Sequence, residues 1–239
     1  MISLESACEG QSRGQLVRNG GWLEFRFQQP QDVLSWAVLG GGRRRAQRVI
    51  WCQVNDDDLK PPVKPLDFIR DQALLRGQSP AATVGFLTSA DISGYADMTL
   101  NFGGLQGRAV ATAGMGNARR AGDACGPSGR IGPAPVGTIN LLVSLSCVLS
   151  ESAFIEAMSI AAEGRTLAVL ENKILSPVSQ KLATGTGTDC ICVSAQSAGS
   201  KGRKYAGKHT DVGYLVGQLS YQVVHKAVAN WKSRVVYEG

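Results

Sequence analysis

The fold class is decided by the run GTINLLVSLSCVL at residues 137–149 and by the run SESAFIEAMSIAAEGRTLAVLENKIL that follows it at residues 150–175. The first run is rich in branched apolar residues and predicts buried β-structure. The second run carries apolar residues at three- and four-residue steps, which predicts a long amphipathic helix. Ser150 or Ser152 can cap this helix, and Ser176-Pro177 is expected to end it.

Further strands and helices extend outward from this pair. Helices are expected at residues 66–74 and at residues 210–231, the second capped by Thr210 or Asp211. Since most strands precede the long helices, the order favours an α+β fold over a doubly wound sheet. Short apolar or alternating runs predict strands at residues 22–27, 33–39, 48–54, 82–87, 98–102, 108–113 and 190–193.

We therefore predict a single α+β domain over residues 1–239. A mixed or antiparallel sheet is expected to pack against the long central helix and the C-terminal helix as a layered sandwich. Residues 1–20 are polar and contain glycine, which predicts a poorly ordered leader. Residues 194–208 are rich in Ser, Gly and Lys, which predicts a mobile loop.

The composition excludes several classes of protein. Hydrophobic residues make up 44% and charged residues 18%, which argues against intrinsic disorder. The net charge of +6 comes from scattered basic residues without interleaved aromatic residues, so no nucleic-acid partner is expected. No apolar run approaches the ~20 residues that span a bilayer, and residues 1–18 lack the apolar core of a secretory signal. We therefore expect a cytoplasmic protein without a membrane partner.

The cysteine and glycine contents bear on the kind of site. No metal is expected, because the six cysteines are dispersed and only two histidines are present. Glycine is abundant, at 29 of 239 residues. Because glycine is used where backbone bends sharply or approaches a ligand closely, its abundance indicates a site built from loops.

Three glycine-rich polar segments are candidates for that site, at residues 113–123, 184–189 and 205–210. The first follows a predicted strand but lacks the spacing of a dinucleotide-binding fingerprint. The second offers backbone N–H groups, hydroxyls and the carboxylate of Asp189. The third brings His209 to the start of the last helix, where the helix dipole favours the neutral, basic imidazole. Each segment is equally compatible with an ordinary turn, and His209 with a helix-entry hydrogen bond.

The order and the amino-acid sequences of these segments resemble those of the adenosylcobinamide amidohydrolase family of corrinoid salvage. The resemblance spans about residues 33–228. One block departs from it: where the family tends to read Thr-Glu-Ala-Lys, this chain has Ala162-Glu163-Gly164-Arg165, so the acid and a cation remain but the threonine is absent. The six blocks that carry the resemblance are VLSWAVLGGG (33–42), VGFLTSA (84–90), GNARRAGD (116–123), GTIN (137–140), ATGTGTD (183–189) and AGKHTDVG (206–213).

This resemblance implies an amidohydrolase that removes aminopropanol from adenosylcobinamide and leaves adenosylcobyric acid. It implies a corrinoid as the small-molecule substrate, and no cofactor is expected. A corrinoid-binding protein without turnover is the alternative. The chain allows a homodimer, although the sequence does not fix the number of subunits.

Amide hydrolysis needs a nucleophile, a proton shuttle and oxyanion stabilisation. His209 is expected to be the base or acid, with Asp189 either orienting it or activating water itself. The hydroxyls of Thr186, Thr188 and Ser35 are the candidate nucleophiles.

A wide, flat corrin ring with peripheral amides calls for a broad cleft lined by glycine and by hydrogen-bonding side chains. The backbone N–H groups of Gly116 or Gly187 are candidate oxyanion donors. The residues expected to bind the substrate are Ser35, Gly116, Asn117, Arg119, Arg120, Asp123, Asn140, Glu163 and Gly187.

Overall fold

The computed structural model describes residues 14–55, 57–125, 137–197 and 202–237, and three α-helices and ten strands lie in this part of the chain. The helices are α1 (Pro65–Leu75), α2 (Glu151–Glu171) and α3 (Asp211–Tyr237). The strands are β1 (Gly14–Asn19), β2 (Trp22–Ser35), β3 (Gly42–Gln53), β4 (Thr83–Thr88), β5 (Ala96–Phe102), β6 (Leu105–Ala113), β7 (Ala118–Arg119), β8 (Ile139–Leu145), β9 (Gly185–Thr186) and β10 (Cys190–Gln196).

The main sheet is mixed and has the strand order β4-β3-β2-β10-β8-β6-β5, with β1 also paired to β2. Two neighbouring pairs are parallel, β3 with β4 and β10 with β8, and the others are antiparallel. The long strand β2 joins the two halves of this sheet. Its first part pairs with β1 and its last part with β10, and its register against β3 shifts between Arg26 and Gln31.

The two halves of the sheet face each other. The indole Nε1 of Trp51 on β3 donates to the carbonyl oxygen of Asn140 on β8 at 3.4 Å, although these strands are not neighbours. Arg108 on β6 likewise donates to the carbonyl oxygen of Gly14 on β1 at 2.7 Å. Such bonds require the half of the sheet formed by β1–β4 to fold over the half formed by β10, β8, β6 and β5. The two halves therefore pack face to face as a sandwich.

Three buried apolar clusters separate four layers. One lies between α1 and the first half of the sheet, the second between the two halves, and the third between the second half and the pair α2 and α3. Alternation along a strand assigns neighbouring side chains to different clusters, as for Leu141 and Leu142 on β8. The prediction of a single α+β domain built as a layered sandwich is therefore confirmed.

Helices α2 and α3 pack closely because Gly164 lies at their contact. A Cβ at Gly164 would lie 2.9 Å from Cβ of Ser220 and 3.0 Å from the carbonyl oxygen of Gly217, both on α3. Glycine removes that obstacle and lets the helix backbones approach. No helix among the described residues combines the length and apolar character that a membrane-spanning helix needs.

Three sequence-based boundaries need correction. Gly14–Asn19 forms β1, not part of a leader, because it pairs with β2 over its full length; residues 1–13 lie outside the described residues. Strand β10 continues through residues 194–196, which were expected to be loop, and residues 198–201 lie outside the described residues. Helix α2 ends at Glu171 rather than near residue 175, since Lys173 adopts a positive φ of 55°.

The sheet has two ends that matter for the site. At the first, called here the site end, Ala113 at the end of β6 pairs with Ile139 at the start of β8, and Cys190 begins β10 beside Asn140. At the second, called the hairpin end, the turn between β5 and β6 meets the start of α3. There the rings of Phe102 and Tyr214 lie 4.1 Å apart between centroids.

Candidate functional site

Two of the three glycine-rich segments meet at the site end. Residues 118–119 form β7 and residues 185–186 form β9, and these pair antiparallel as a two-stranded ribbon. Thr184 donates its N–H to the carbonyl oxygen of Arg119 at 2.8 Å, and its Oγ1 accepts the N–H of Ala121 at 2.8 Å. Segments that are about 70 residues apart in the chain thus form one loop surface.

The carboxylate of Asp189 is the centre of this surface. Its side chain is only 5% exposed. Oδ1 accepts the hydroxyl of Thr186 at 2.5 Å and the N–H of Ile139 at 3.0 Å. Oδ2 accepts the guanidinium of Arg165 at 2.7 Å and the N–H of Thr186 at 3.0 Å. The carboxylate therefore links β8, β9, β10 and helix α2 at one point.

Burial and charge act in opposite directions on Asp189. Desolvation raises the pKa of its carboxyl, while the nearby Arg165 and the hydrogen bonds from Thr186 and Ile139 oppose that rise. The net direction is upward. A carboxylate with a raised pKa accepts a proton more readily, which suits a general base.

Tight backbone packing positions the strand that carries the Ile139 N–H group. A Cβ at Gly137 would lie 2.5 Å from the carbonyl oxygen of Gly114 and 2.8 Å from the nitrogen of Gly116. The buried Thr138 donates its hydroxyl to the carbonyl oxygen of Thr188 at 2.9 Å. The first and second glycine-rich segments are thereby held against the start of β8.

The exposed edge of the site is formed by Gly187 and Thr188. Thr188 donates its hydroxyl to the carbonyl oxygen of Gly137 at 3.3 Å. Asn117 lies against this edge, with Nδ2 4.0 Å from the position of a Cβ at Gly187. Its Oδ1 is buried and has no hydrogen-bond partner among the described residues. A buried acceptor without a partner is costly unless a ligand or water satisfies it.

The remaining predicted binding residues of the first segment hold the loop. Asp123 accepts the hydroxyl of Ser176 at 2.5 Å and the N–H of Arg120 at 2.8 Å, and the Ser176 hydrogen bond is the largest of the effects that lower the pKa of Asp123 to about 2. Arg120 also donates to the carbonyl oxygen of Leu182 at 2.9 Å. Arg119 lies partly exposed, with its side chain beside Gly187.

Two further predicted residues lie deeper. Ser35 is buried at the end of β2 and donates its hydroxyl to the carbonyl oxygen of Ile191 at 2.8 Å. Asn140 is fully buried between the two halves of the sheet, where its Nδ2 donates to the carbonyl oxygen of Leu87 at 2.8 Å. These bonds fix strands near the site and leave neither side chain on the exposed edge.

The third segment lies at the other end of the sheet. His209 precedes α3, whose start contacts the hairpin end, and Asp189 lies at the site end. Strand β6 runs nine residues between these ends, which is roughly 26 Å at 3.3 Å per residue. The expected pairing of His209 with Asp189 is therefore absent from the described residues, and Asp189 bonds to Arg165, Thr186 and Ile139 instead.

Arg165 contacts the Asp189 carboxylate and was not among the site residues predicted from the sequence. It belongs to the block Ala162–Arg165 that departs from the family wording, where only the presence of a cation was noted. The structure pairs this cation with Asp189. Glu163, expected to bind substrate, forms an exposed ion pair with Lys208. The sequence did not indicate the contact between Arg165 and Asp189. These residues are 24 positions apart, and their contact depends on how α2 crosses the sheet.

Cys190 follows Asp189 and is buried. Desolvation by burial, followed by the Asp189 charge, raises the pKa of its thiol to about 11, so the thiol stays protonated near neutral pH. Within the described ranges, no group of three or more His, Cys, Asp or Glu side chains is placed to hold a metal ion. The polar groups at this surface include hydroxyl, carboxylate, guanidinium, amide and backbone N–H groups.

The Asp189 surface holds a hydroxyl 2.5 Å from a buried carboxylate, an arrangement that hydrolases with a hydroxyl nucleophile require. The sequence profile of adenosylcobinamide amidohydrolase matches residues 6–235, and the chain belongs to that family. It is an amidohydrolase that cleaves the amide linking aminopropanol to the corrin ring of adenosylcobinamide, giving adenosylcobyric acid in cobamide salvage. The activity expected from the sequence is therefore confirmed. The alternative, a corrinoid-binding protein without turnover, is not supported by the family assignment.

Comparison with curated proteins finds no match. Among solved structures, the chain is similar to the PH0078 protein from Pyrococcus horikoshii OT3, at 8% identity and a TM-score of 0.43, covering 96% of this chain and 82% of that one. It is also similar to a Burkholderia sp. beta-aminopeptidase (12%, TM-score 0.41, 92% and 82% covered). A third is the L-aminopeptidase D-Ala-esterase/amidase from Ochrobactrum anthropi (10%, TM-score 0.40, 88% and 78% covered).

Proposed function

We propose that adenosylcobinamide is cleaved at the Asp189 centre, with the Thr186 hydroxyl as nucleophile and Asp189 as its base. The supporting observation is the 2.5 Å hydrogen bond from Thr186 Oγ1 to Asp189 Oδ1. Nucleophile and base within hydrogen-bond reach, with the base held by a third group, form the pattern of an activated hydroxyl. Here Arg165 is the third group.

The proposed reaction has two steps. Thr186 Oγ1 attacks the amide carbonyl carbon while its proton passes to Asp189, and the C–N bond then breaks as aminopropanol leaves with that proton. Water next adds to the threonyl ester, and Asp189 takes one of its protons. Collapse releases adenosylcobyric acid and returns the proton to Thr186. The N–H of Gly187, on the exposed edge, is proposed to stabilise the oxyanion.

Substrate binding is proposed to use the edge beside this centre. The unpartnered Oδ1 of Asn117 is placed to accept an N–H from a peripheral amide of the corrin. Arg119 is partly exposed on the same edge and supplies further donors. His209 has no step in this proposed mechanism, because its segment lies at the hairpin end of the sheet.

We further propose that the enzyme works in the cytoplasm and needs no cofactor. Cys52, Cys125, Cys190 and Cys192 are free thiols, as expected in a reducing compartment. The proposed chemistry uses only side chains, one backbone N–H group and water. A homodimer is proposed as the assembly, and light scattering of the purified protein tests it.

The test compares Thr186→Val and Asp189→Asn with the control Thr99→Val, a surface substitution of the same type on β5. Release of aminopropanol from adenosylcobinamide is followed by mass spectrometry. Each site variant is expected to lower kcat/KM by about 10²- to 10⁴-fold, and the double variant by no more, since the residues act as a unit. Wild-type turnover by Thr186→Val would exclude its hydroxyl as the nucleophile.

A further inference from the structure

Trp36 is a large aromatic side chain left on the surface beside the Asp189 centre. It is 46% exposed, whereas Trp22 and Trp51 are 5% and 0% exposed. It follows Ser35 in the connection between β2 and β3, at the site end of the sheet. Val38, 37% exposed, adds to the apolar surface of the same connection.

The indole is fixed in place by its polar edge. Its Nε1–H donates to the backbone carbonyl oxygen of Asp189 at 2.6 Å. The backbone around it is held as well, since the thiol of Cys190 donates to the carbonyl oxygen of Trp36 at 3.7 Å. Ser35 Oγ accepts the N–H of Ala37 at 3.1 Å. The ring is therefore anchored to β10, and the polar atom that would otherwise need water is already satisfied.

The anchor places the ring next to the chemistry. A single residue, Asp189, gives its carbonyl oxygen to Trp36 and its carboxylate to the hydroxyl of Thr186. The flat apolar surface and the catalytic pair are thus attached to one residue. A side chain that is already immobilised loses little further freedom when a ligand lies on it.

The substrate has the complementary shape. A corrin is a wide, flat macrocycle with apolar faces and amide groups around its rim. We propose that Trp36 is a substrate-positioning residue on whose ring one face of the macrocycle lies while a rim amide reaches Thr186. This inference rests on the proposed catalytic centre and adds to it the residue that binds the ring.

The proposal makes binding, not chemistry, depend on the ring. An interaction made equally in the ground state and the transition state changes KM and leaves kcat nearly unchanged. Stacking of a flat conjugated group on an aromatic side chain is of a size that changes affinity by about 10-fold. The Trp36→Phe variant separates the effect of the ring from the effect of the Nε1–H bond to Asp189. Phenylalanine keeps an aromatic ring but lacks this donor.

The experiment uses Trp36→Ala and Trp36→Phe, with Phe102→Ala as the control, an exposed aromatic residue (43%) at the hairpin end. Steady-state hydrolysis of adenosylcobinamide gives kcat and KM, and calorimetric titration with adenosylcobyric acid gives a product Kd. Trp36→Ala is expected to raise KM and this Kd by about 10-fold with kcat within about twofold. Trp36→Phe is expected to stay within about threefold of wild type on all three, and Phe102→Ala is expected to match wild type.

Three outcomes would overturn the inference. An unchanged KM and product Kd in Trp36→Ala would remove the ring from substrate binding. Equal losses of kcat and melting temperature in Trp36→Ala and Trp36→Phe would assign the residue to anchoring the backbone through Nε1. If Trp36→Ala changed the molecular mass of the assembly measured by light scattering and left KM unchanged, the ring would be assigned to contacts between subunits. The product Kd does not depend on catalysis, so failure of the Thr186 and Asp189 mechanism is recognised separately.

Discussion

Replacing Arg165 by methionine tests whether the Asp189 centre is a true buried ion pair. The substitution keeps a long side chain but removes the charge that lies 2.7 Å from Asp189 Oδ2. The side chains of Arg165 and Asp189 are 17% and 5% exposed, so water can compensate the carboxylate only slightly. Removing one partner of a buried pair costs about 3–5 kcal/mol, and the partial exposure of Arg165 favours the lower end, about 3 kcal/mol.

That loss has a defined signature in unfolding experiments. For a chain of this length, 1 kcal/mol shifts Tm by about 2–4 °C, so Arg165→Met is expected to melt roughly 6–12 °C below wild type. The double variant Arg165→Met/Asp189→Asn is expected to be more stable than Arg165→Met alone, because it leaves no unpaired buried charge. Urea unfolding of the wild type, both single variants and the double variant gives the coupling free energy.

The loss should also depend on pH. Burial raises the pKa of Asp189 and Arg165 opposes that rise, so the pKa is higher still in Arg165→Met. A carboxyl with a raised folded-state pKa stabilises the fold below its unfolded pKa, and this contribution is lost as pH rises through the folded value. The stability deficit of Arg165→Met should therefore grow as the pH rises above about 4, the ordinary pKa of an aspartate. Additive single variants, or a deficit independent of pH, would refute the buried-pair reasoning.

Two other predictions follow from the placement of residues at the two ends of the sheet. His209→Ala is expected to keep kcat/KM within about threefold of wild type, because roughly 26 Å of β6 lies between its end of the sheet and Asp189; a loss of 10²-fold in the aminopropanol assay would return His209 to the mechanism. Gly137→Ala is expected to cost about 1–3 kcal/mol in urea unfolding, because its Cβ would lie 2.5 Å from the carbonyl oxygen of Gly114. The matched Gly207→Ala meets no atom within 4 Å, and equal destabilisation by both glycine variants would contradict the packing argument.

Much of the fold could be predicted because local signals agreed with the tertiary structure. The side chain of Ser150 accepts the N–H of Ala153 and caps α2, and Thr210 Oγ1 accepts the N–H of Gly213 at the start of α3, as the sequence indicated. The sequence-based errors lie where hydrogen bonds to a neighbouring strand, rather than the local residue pattern, define a strand. β1 has mostly exposed side chains, so only its hydrogen bonds to β2 define it. Ser194 reads as loop, yet it is fully buried between Val33 and Ser144 in neighbouring strands.

The site was predicted in part for a similar reason. The pairing of residues 118–119 with residues 185–186 brings two glycine-rich segments together, and both were identified from composition. Which end of the sheet a segment occupies depends on strand direction, and no short motif encodes it. The predicted pairing of His209 with Asp189 rested on their residue types alone. Because β8 and β10 are parallel, the loops before them meet at the site end, while the segment before α3 comes after the opposite end of β10.

The block Ala162–Arg165 shows how one turn of helix connects these parts. Glu163 pairs with Lys208 ahead of α3, Gly164 lets α3 approach, and Arg165 turns towards the sheet and meets Asp189. Successive residues on a helix point in different directions, about 100° apart, so the three contacts are made by three faces of α2. A larger residue at position 164 would push α2 away from α3, and the reach of Arg165 to Asp189 depends on where α2 lies. The glycine that departs from the family sequence is thus coupled, through the position of α2, to the ion pair between Arg165 and Asp189.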